Sequence, residues 1–163
     1  MKAAGQPVKV LVADDSAVSR KLVEHTLSEK QYSLVFAKSG RETLDLFAEH
    51  RPALVIVDWI MPDLTGLEIC QHIRSRAQAS YTYIILLTGK SEKESVVEGL
   101  AAGADDYVRK PFDNEELRHR VRSNCRCLGL WSSRSIRYPE CPSTRCKTDS
   151  GHRYGARTSR ACA

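Results

Sequence analysis

The sequence predicts an α/β fold, a parallel sheet with helices on both faces, and three observations lead there. Short runs rich in Val, Ile and Leu recur through the first two-thirds of the chain, several without polar alternation. Such runs read as strands buried on both faces. Helical patterns of roughly 10–15 residues separate them, which implies right-handed βαβ units. Polar residues capable of chemistry recur where the runs end, at the sheet edge where open α/β folds place their sites.

The 163 residues make one domain with an appendage, long enough to bury a real core. A composition 42% hydrophobic and 28% charged is that of an ordinary globular protein. The longest early apolar run, Val8–Ala13, contains Lys9 and is too short for a signal-peptide core or a membrane span. A cytoplasmic location is therefore expected. The net charge of +5 is unevenly placed. Eight of the 25 basic residues but only two of the 20 acidic ones lie from Ser123 onward, leaving 17 basic and 18 acidic before it. Five of the six cysteines also lie there.

Val8–Ala13 is predicted as a strand ending in Asp14-Asp15. Ser16–Glu29 carries Val18, Leu22, Val23 and Leu27 at helical spacing, an amphipathic helix. Tyr32–Ala37 is a second strand. Ser39 to Glu42 is a capping-box pattern, continued as a helix face by Leu44, Phe47 and Ala48. Pro52 introduces the strand Ala53–Asp58. Thr65 then caps a helix to about Arg76 with Leu67, Cys70 and Ile73 inward, Cys70 acting as a small buried hydrophobe. Tyr83–Leu87 is a fourth strand, ending at Thr88-Gly89. Ser91 to Glu94 opens a helix bearing Val96, Val97, Leu100 and Ala101, and Gly103 stops it. Asp106–Arg109 is the last strand. Asp113 with Glu116 caps a final helix whose inward face is Leu117, Val121, Cys125 and Leu128.

The strand ends of this pattern carry Asp14 and Asp15, Asp58, Thr88 and Lys110. A parallel sheet brings these side chains to one edge. Three carboxylates in a partly desolvated cleft repel, and a divalent cation removes that conflict. Hard oxygen ligands with positions left for water suit Mg²⁺. Lys110, a mobile point charge, neutralises an incoming anion. With a metal, a hydroxyl from Thr88 and that lysine, Asp58 has the surroundings for in-line attack on a phosphoryl group. Gly89 leaves room for the donor. Each residue alone also has a plain reading, as turn cap, strand-end hydroxyl or solvated lysine. Their joint occurrence at four of the strand ends favours the chemistry.

On these residues the sequence closely resembles the response-regulator receiver family, the CheY-like phosphoacceptor domains of two-component signalling. The matching pieces are VLVADDS (10–16), VIVDWIMPDLTGLE (55–68), ILLTG (85–89) and GLAAGADDYVRKPF (99–112), about 120 residues in family order with the NEEL that follows. The resemblance implies a flavodoxin-like (βα)5 doubly wound parallel sheet of order 2-1-3-4-5, over residues 6–126. It implies Asp58 as phosphoacceptor for a histidine kinase or histidine phosphotransfer protein. Asp15 is the direct Mg²⁺ carboxylate, Asp14 the acid acting through water, and the Ile60 backbone carbonyl a further ligand. Thr88 and Lys110 are the switch hydroxyl and the phosphate-binding lysine. Tyr107 is the switch aromatic on the face made by the fourth helix, fifth strand and fifth helix. The Lys110–Pro111 bond is expected to be cis. Ile60 and Lys90 stand where the family tunes the lifetime of the phosphate.

Residues 127–163 follow no period and contain no valine, so disorder is the expectation. Zinc binding by Cys125, Cys127, Cys141, Cys146, His152 and Cys162 fits no compact ligand pattern. A nucleic-acid arm lacks a fold to present its scattered arginines, and a disulfide framework is foreign to a cytosolic domain. The Arg/Ser/Cys-rich texture instead reads as translation out of frame, or as truncation of a protein that continues into an output domain. In this family such receivers often precede GGDEF cyclase, phosphatase, kinase or DNA-binding modules. Two other functions were weighed against the signalling module. A phosphatase of the haloacid-dehalogenase type wants an acid two residues after the nucleophile, where Ile60 stands. A DNA-binding regulator would need a helix-turn-helix that residues 123–163 lack.

Overall fold

A computed structural model describes residues 6–76, 81–89 and 93–127. Five strands, β1 (Val8–Ala13), β2 (Tyr32–Ala37), β3 (Leu54–Asp58), β4 (Tyr83–Thr88) and β5 (Asp106–Arg109), pair in parallel in the order β2-β1-β3-β4-β5. Between and after them run α1 (Ala17–Thr26), α2 (Gly40–His50), α3 (Gly66–Ser75), α4 (Lys93–Ala101) and α5 (Asn114–Cys127). This is the flavodoxin-like sheet that the sequence led us to expect. No helix among the described residues is long and apolar enough to cross a membrane.

Strand periodicity divides the core into two layers. On one face Val10, Val12, Leu54, Ile56, Ile85 and Leu87 meet Val23 of α1, Leu27 just after it, and Leu117, Val121 and Cys125 of α5. On the other, Leu11, Val55, Val57, Ile84 and Leu86 meet Phe47 of α2 and Ile69, Cys70 and Ile73 of α3. Each such Val, Leu or Ile contributes roughly 1.5–3 kcal/mol on leaving water. Burial pushes the thiols of Cys70 and Cys125 up to about 12, so both behave as inert apolar groups.

Helix starts at Ser39 and Thr65 follow the expected caps, and Ser16 proves to be a third. Ser16, Ser39 and Thr65 each accept a backbone N–H from the first turn of their helix. Thr65 and Glu68 complete a reciprocal capping box. At α2 the box is offset, because Glu42 Oε2 accepts from the N–H of Lys38 at 2.6 Å. Asp113 Oδ1 accepts from Glu115 N–H at 2.7 Å and from Glu116 N–H at 3.3 Å, capping α5, while the Glu116 side chain pairs with Arg120.

Several helix faces differ from the periodic reading. The first helix stops at Thr26 rather than Glu29, where the N–H of Leu27 returns to Val23 O and the chain turns into β2. Val18 is 79% exposed and Leu22 is also at the surface, while Thr26 is buried in their stead. Its hydroxyl is satisfied by Leu22 O and Asn114 Oδ1, which lets a polar residue sit in the α1–α5 seam. Thr43, not Ala48, faces inward on α2, and Ile69 joins Cys70 and Ile73 on α3 while Leu67 is half-buried. On α4, Val97 and Leu100 are exposed. Gly99 meets the sheet, so close that an added Cβ would lie 2.8 Å from Leu86 Cδ2. Gly103 ends this stretch at φ 105, a conformation that glycine adopts without strain. Ser91, Leu128 and the segment 128–163, with its zinc, nucleic-acid and disulfide readings, lie outside the described residues.

Candidate functional site

The parallel register brings the predicted residues to one edge. Ala13 pairs with Val57, Asp58 with Leu87, and Thr88 with Arg109, so each strand releases its polar residue at the same level. Asp14 follows β1 immediately and is fully buried, and Asp15 beside it is exposed. Ser16 N–H donates to Asp14 Oδ1 at 2.9 Å and fixes that carboxylate's orientation. Asp58 ends β3, with 9% of its surface exposed. The chain leaving it is tied back at once, Trp59 N–H to Leu87 O at 2.8 Å and Gly66 N–H to Trp59 O at 2.9 Å. A Cβ on Gly66 would lie 2.4 Å from the Asp58 carbonyl oxygen, so only glycine lets the turn close this tightly.

Lys110, directly after β5, reaches across to both buried acids. Its Nζ is 2.7 Å from Asp14 Oδ2 and 2.9 Å from Asp58 Oδ2. Lys110 N–H donates to Thr88 O at 2.7 Å, and the following Lys110–Pro111 peptide is cis. Burial raises the Asp58 carboxyl above the ordinary carboxylate range. The Lys110 hydrogen bond and charge offset part of that rise, and the Asp14 charge adds to it. Partial burial presses the Lys110 ammonium downward, yet its bonds to Asp14 and Asp58 outweigh this and hold it above the usual lysine value.

Carboxylate oxygens of Asp14, Asp15 and Asp58 lie within 4.8 Å of one another. Three carboxylates against one ammonium leave the pocket acidic. The donor set, hard oxygens with the exposed Asp15 carboxylate accepting no hydrogen bond among the described residues, fits a hard divalent cation. Clustered acids of this kind are able to bind a metal.

The remaining predicted residues are placed as follows. Thr88 ends β4 and is 1% exposed. Tyr107 is half-buried on β5, opposite Leu86. With Trp59, Thr88, Gly99 and Leu100 it lines a narrow, partly open hollow between the strand ends and α4. Ile60, two residues past Asp58, is 68% exposed at the rim. Three participants were not singled out from the sequence. Arg20 NH1 donates to the carbonyls of Asp14 at 2.7 Å and Asp15 at 2.9 Å, bracing the acid pair from α1. Its signal was a basic residue one turn into the helix after the two acids. Trp59 is buried against Gly99, joining the strand end to α4. Asp63 adopts φ 66 in the loop after β3 and bonds to the start of α2.

Comparison with known proteins agrees with this geometry. The family described as response regulator receiver domain matches residues 10–122. The response regulator MprA of Mycolicibacterium vanbaalenii is 44% identical over 117 residues, covering 72% of this chain and 50% of that protein. The chain thus spans about half the length of the curated relatives it matches. Among solved structures, the chemotaxis response regulator CheY4 of Vibrio cholerae is similar with a TM-score of 0.68 and 35% identity. That match covers 73% of this chain and 99% of CheY4. A structure described as a two-component system response regulator/GGDEF domain protein is similar with a TM-score of 0.70 and 31% identity, over 76% of this chain and 51% of that one. The acidic pocket of Asp14, Asp15 and Asp58 fits a phosphoacceptor site. The chain belongs to the response regulator receiver domain family of two-component signalling.

Proposed function

We propose that Asp58 is the phosphoacceptor, and that the unit spanning residues 6–126 switches a partner or output domain when it is phosphorylated. The observation that carries this is the Lys110 ammonium, held between the Asp14 and Asp58 carboxylates at the exposed mouth of the sheet. An Asp58 oxygen attacks the phosphorus of a phosphohistidine on a sensor kinase or histidine phosphotransfer protein. The P–O bond forms as the P–N bond breaks, and the freed imidazole keeps the electron pair and takes up a proton. Lys110 moves from the carboxylate to a phosphoryl oxygen, and the Thr88 hydroxyl binds another.

Asp14, Asp15, Asp58 and the Ile60 carbonyl would hold Mg²⁺, whose charge offsets that of the phosphoryl oxygens. Thr88 and Tyr107 line one hollow with Trp59 and Leu100. A hydroxyl drawn toward the phosphate there makes room for the aromatic ring to turn inward, which changes the face formed by α4, β5 and α5. The unit acts in the cytoplasm as a signalling module that catalyses only its own phosphorylation and dephosphorylation.

Labelling of the full chain with a small acyl-phosphate donor and Mg²⁺, read by intact mass, tests the proposal. One phosphoryl group per chain, absent from Asp58→Asn, is expected. Undiminished labelling of Asp58→Asn would sink the assignment. Multiple turnover of a phosphomonoester would favour the phosphatase reading instead. The half-length coverage of its relatives and the likeness to a response regulator/GGDEF protein support a receiver that serves a larger regulator.

A further inference from the structure

Between Asp58 and α3 the chain makes a short loop, Trp59–Thr65, on which the Ile60 carbonyl depends for its position. The Ile60 side chain, 68% exposed, contributes nothing to holding it. Two other residues do. Met61 is buried in the core on one side. On the other, Asp63 reaches the first turn of α2, where its Oδ1 accepts from Gly40 N–H at 3.0 Å and its Oδ2 from Arg41 N–H at 3.5 Å.

The contact is close and specific. Gly40 N–H also donates to Pro62 O at 3.2 Å, and a Cβ on Gly40 would lie 2.5 Å from Leu64 Cβ. Asp63 adopts φ 66, in the left-handed region that Asp and Asn tolerate better than other non-glycine residues. Its negative charge faces the positive end of the α2 dipole. The α2 N-terminus does not need this residue as its sole cap, because Ser39 Oγ already accepts the N–H of Glu42 at 3.3 Å. The link therefore does more for the loop than for the helix.

We infer that Asp63 is a positioning residue, clamping the loop after the phosphoacceptor onto α2 and so setting the cation affinity of the site. This rests on the Mg²⁺ reading proposed above. Without the carboxylate the loop remains tethered at Met61, at Gly66 and by the Gly40 N–H bond to Pro62 O, but its middle, where the Ile60 carbonyl lies, gains freedom that a cation would have to remove on binding. Residues that orient a metal ligand typically change affinity by tenfold or more when lost.

The test compares Asp63→Gly, which keeps the backbone conformation and removes the carboxylate, with Ser39→Ala, which removes the other α2 cap. Asp63→Asn, which keeps one acceptor oxygen, serves as the conservative variant. All are made in the full chain carrying Trp131→Phe, so that Trp59 is the one remaining tryptophan. Mg²⁺ binding is measured by Trp59 fluorescence and by calorimetry, against NaCl at matched ionic strength. Asp63→Gly is expected to weaken Mg²⁺ binding about tenfold. Asp63→Asn should fall between it and the parent, and Ser39→Ala should lower the thermal midpoint while leaving the affinity unchanged. Unchanged affinity in Asp63→Gly, or equal losses in Asp63→Gly and Ser39→Ala, overturns the inference. A parent protein that binds no Mg²⁺ by either method overturns the cation reading itself, a result distinct from both.

Discussion

The ammonium of Lys110, at the end of β5, stands 2.9 Å from the carboxylate of Asp58, at the end of β3. A strand, β4, separates the two in the sheet, so the contact spans the mouth of the fold rather than a neighbouring pair. It makes Lys110 the counter-charge shared by Asp14 and Asp58 in this pocket.

Asp58→Asn is expected to raise stability near neutral pH while removing labelling. The Asp58 carboxyl titrates above its ordinary value of 3.8 in the fold. The native state therefore holds that proton more tightly than the unfolded chain does. Stability then falls as pH rises from just below 3.8 through the raised value, and above it the ionised group is a standing penalty. Urea melts of both proteins should agree in acid and diverge toward neutrality, with the variant the more stable. A parent more stable than the variant at neutral pH would contradict this.

Lys110→Ala leaves Asp14 and Asp58 facing each other without a counter-charge. A loss of about 1–3 kcal/mol is expected in EDTA, and millimolar Mg²⁺ should recover part of it. The raised Lys110 value sets the opposite pH sense from that of Asp58. Its contribution is complete below the unfolded value of 10.5 and disappears as pH rises through the folded one. Denaturation in EDTA at neutral and strongly alkaline pH checks both statements.

Mg²⁺ should raise the thermal midpoint in a saturable way that NaCl does not reproduce. The gain follows mass action, about 2.7 kcal/mol at a hundredfold excess over the dissociation constant. Asp15→Asn should remove this response with little change in metal-free stability, because the Asp15 side chain is exposed and its carboxylate accepts no hydrogen bond among the described residues. Calorimetric scans across a MgCl₂ series decide it.

Gly66→Ala forces a methyl group to 2.4 Å from the Asp58 carbonyl and 2.9 Å from Leu86 Cδ1. Neither neighbour is free to retreat, since one is backbone and the other is buried. A loss of about 1–3 kcal/mol is expected, together with slower labelling, as the end of β3 must move.

Arg74 separates structural from chemical effects. It donates to Gly103 O and Thr82 O, both at 2.8 Å, and pairs with the buried Asp105 at 2.5 Å, on elements away from the acidic pocket. Arg74→Ala should lower stability by about 2–4 kcal/mol and leave the labelling rate per folded molecule unchanged. A selective loss of labelling would mean that the α3–β5 clasp communicates with the site.

Much of this molecule could be read along the chain. The runs Val8–Ala13, Ala53–Asp58 and Tyr83–Leu87 announced buried strands, observed within a residue of those bounds, because a parallel strand covered on both faces has no use for polar alternation. Ser39 and Thr65 announced helix starts because a cap acts over three residues. The acids, the hydroxyl and the lysine stood at the strand ends of the predicted pattern, and the parallel register does bring those ends to one edge.

What the chain could not say concerned neighbours distant in sequence. Val18, Val97 and Leu100 have apolar character and helical spacing, yet they face outward, because their periodicity says nothing of which side another element covers. Asp63 looked like an ordinary turn residue, and only the approach of α2 reveals its hold on Gly40 and Arg41. The sequence by itself determined the alternation of strands and helices and the identity of the acids, the hydroxyl and the lysine. The tertiary structure alone decided that Lys110 grips Asp14, 96 residues away, together with Asp58. Local propensity acts within a few residues, whereas that contact exists only once five parallel strands are ordered and in register.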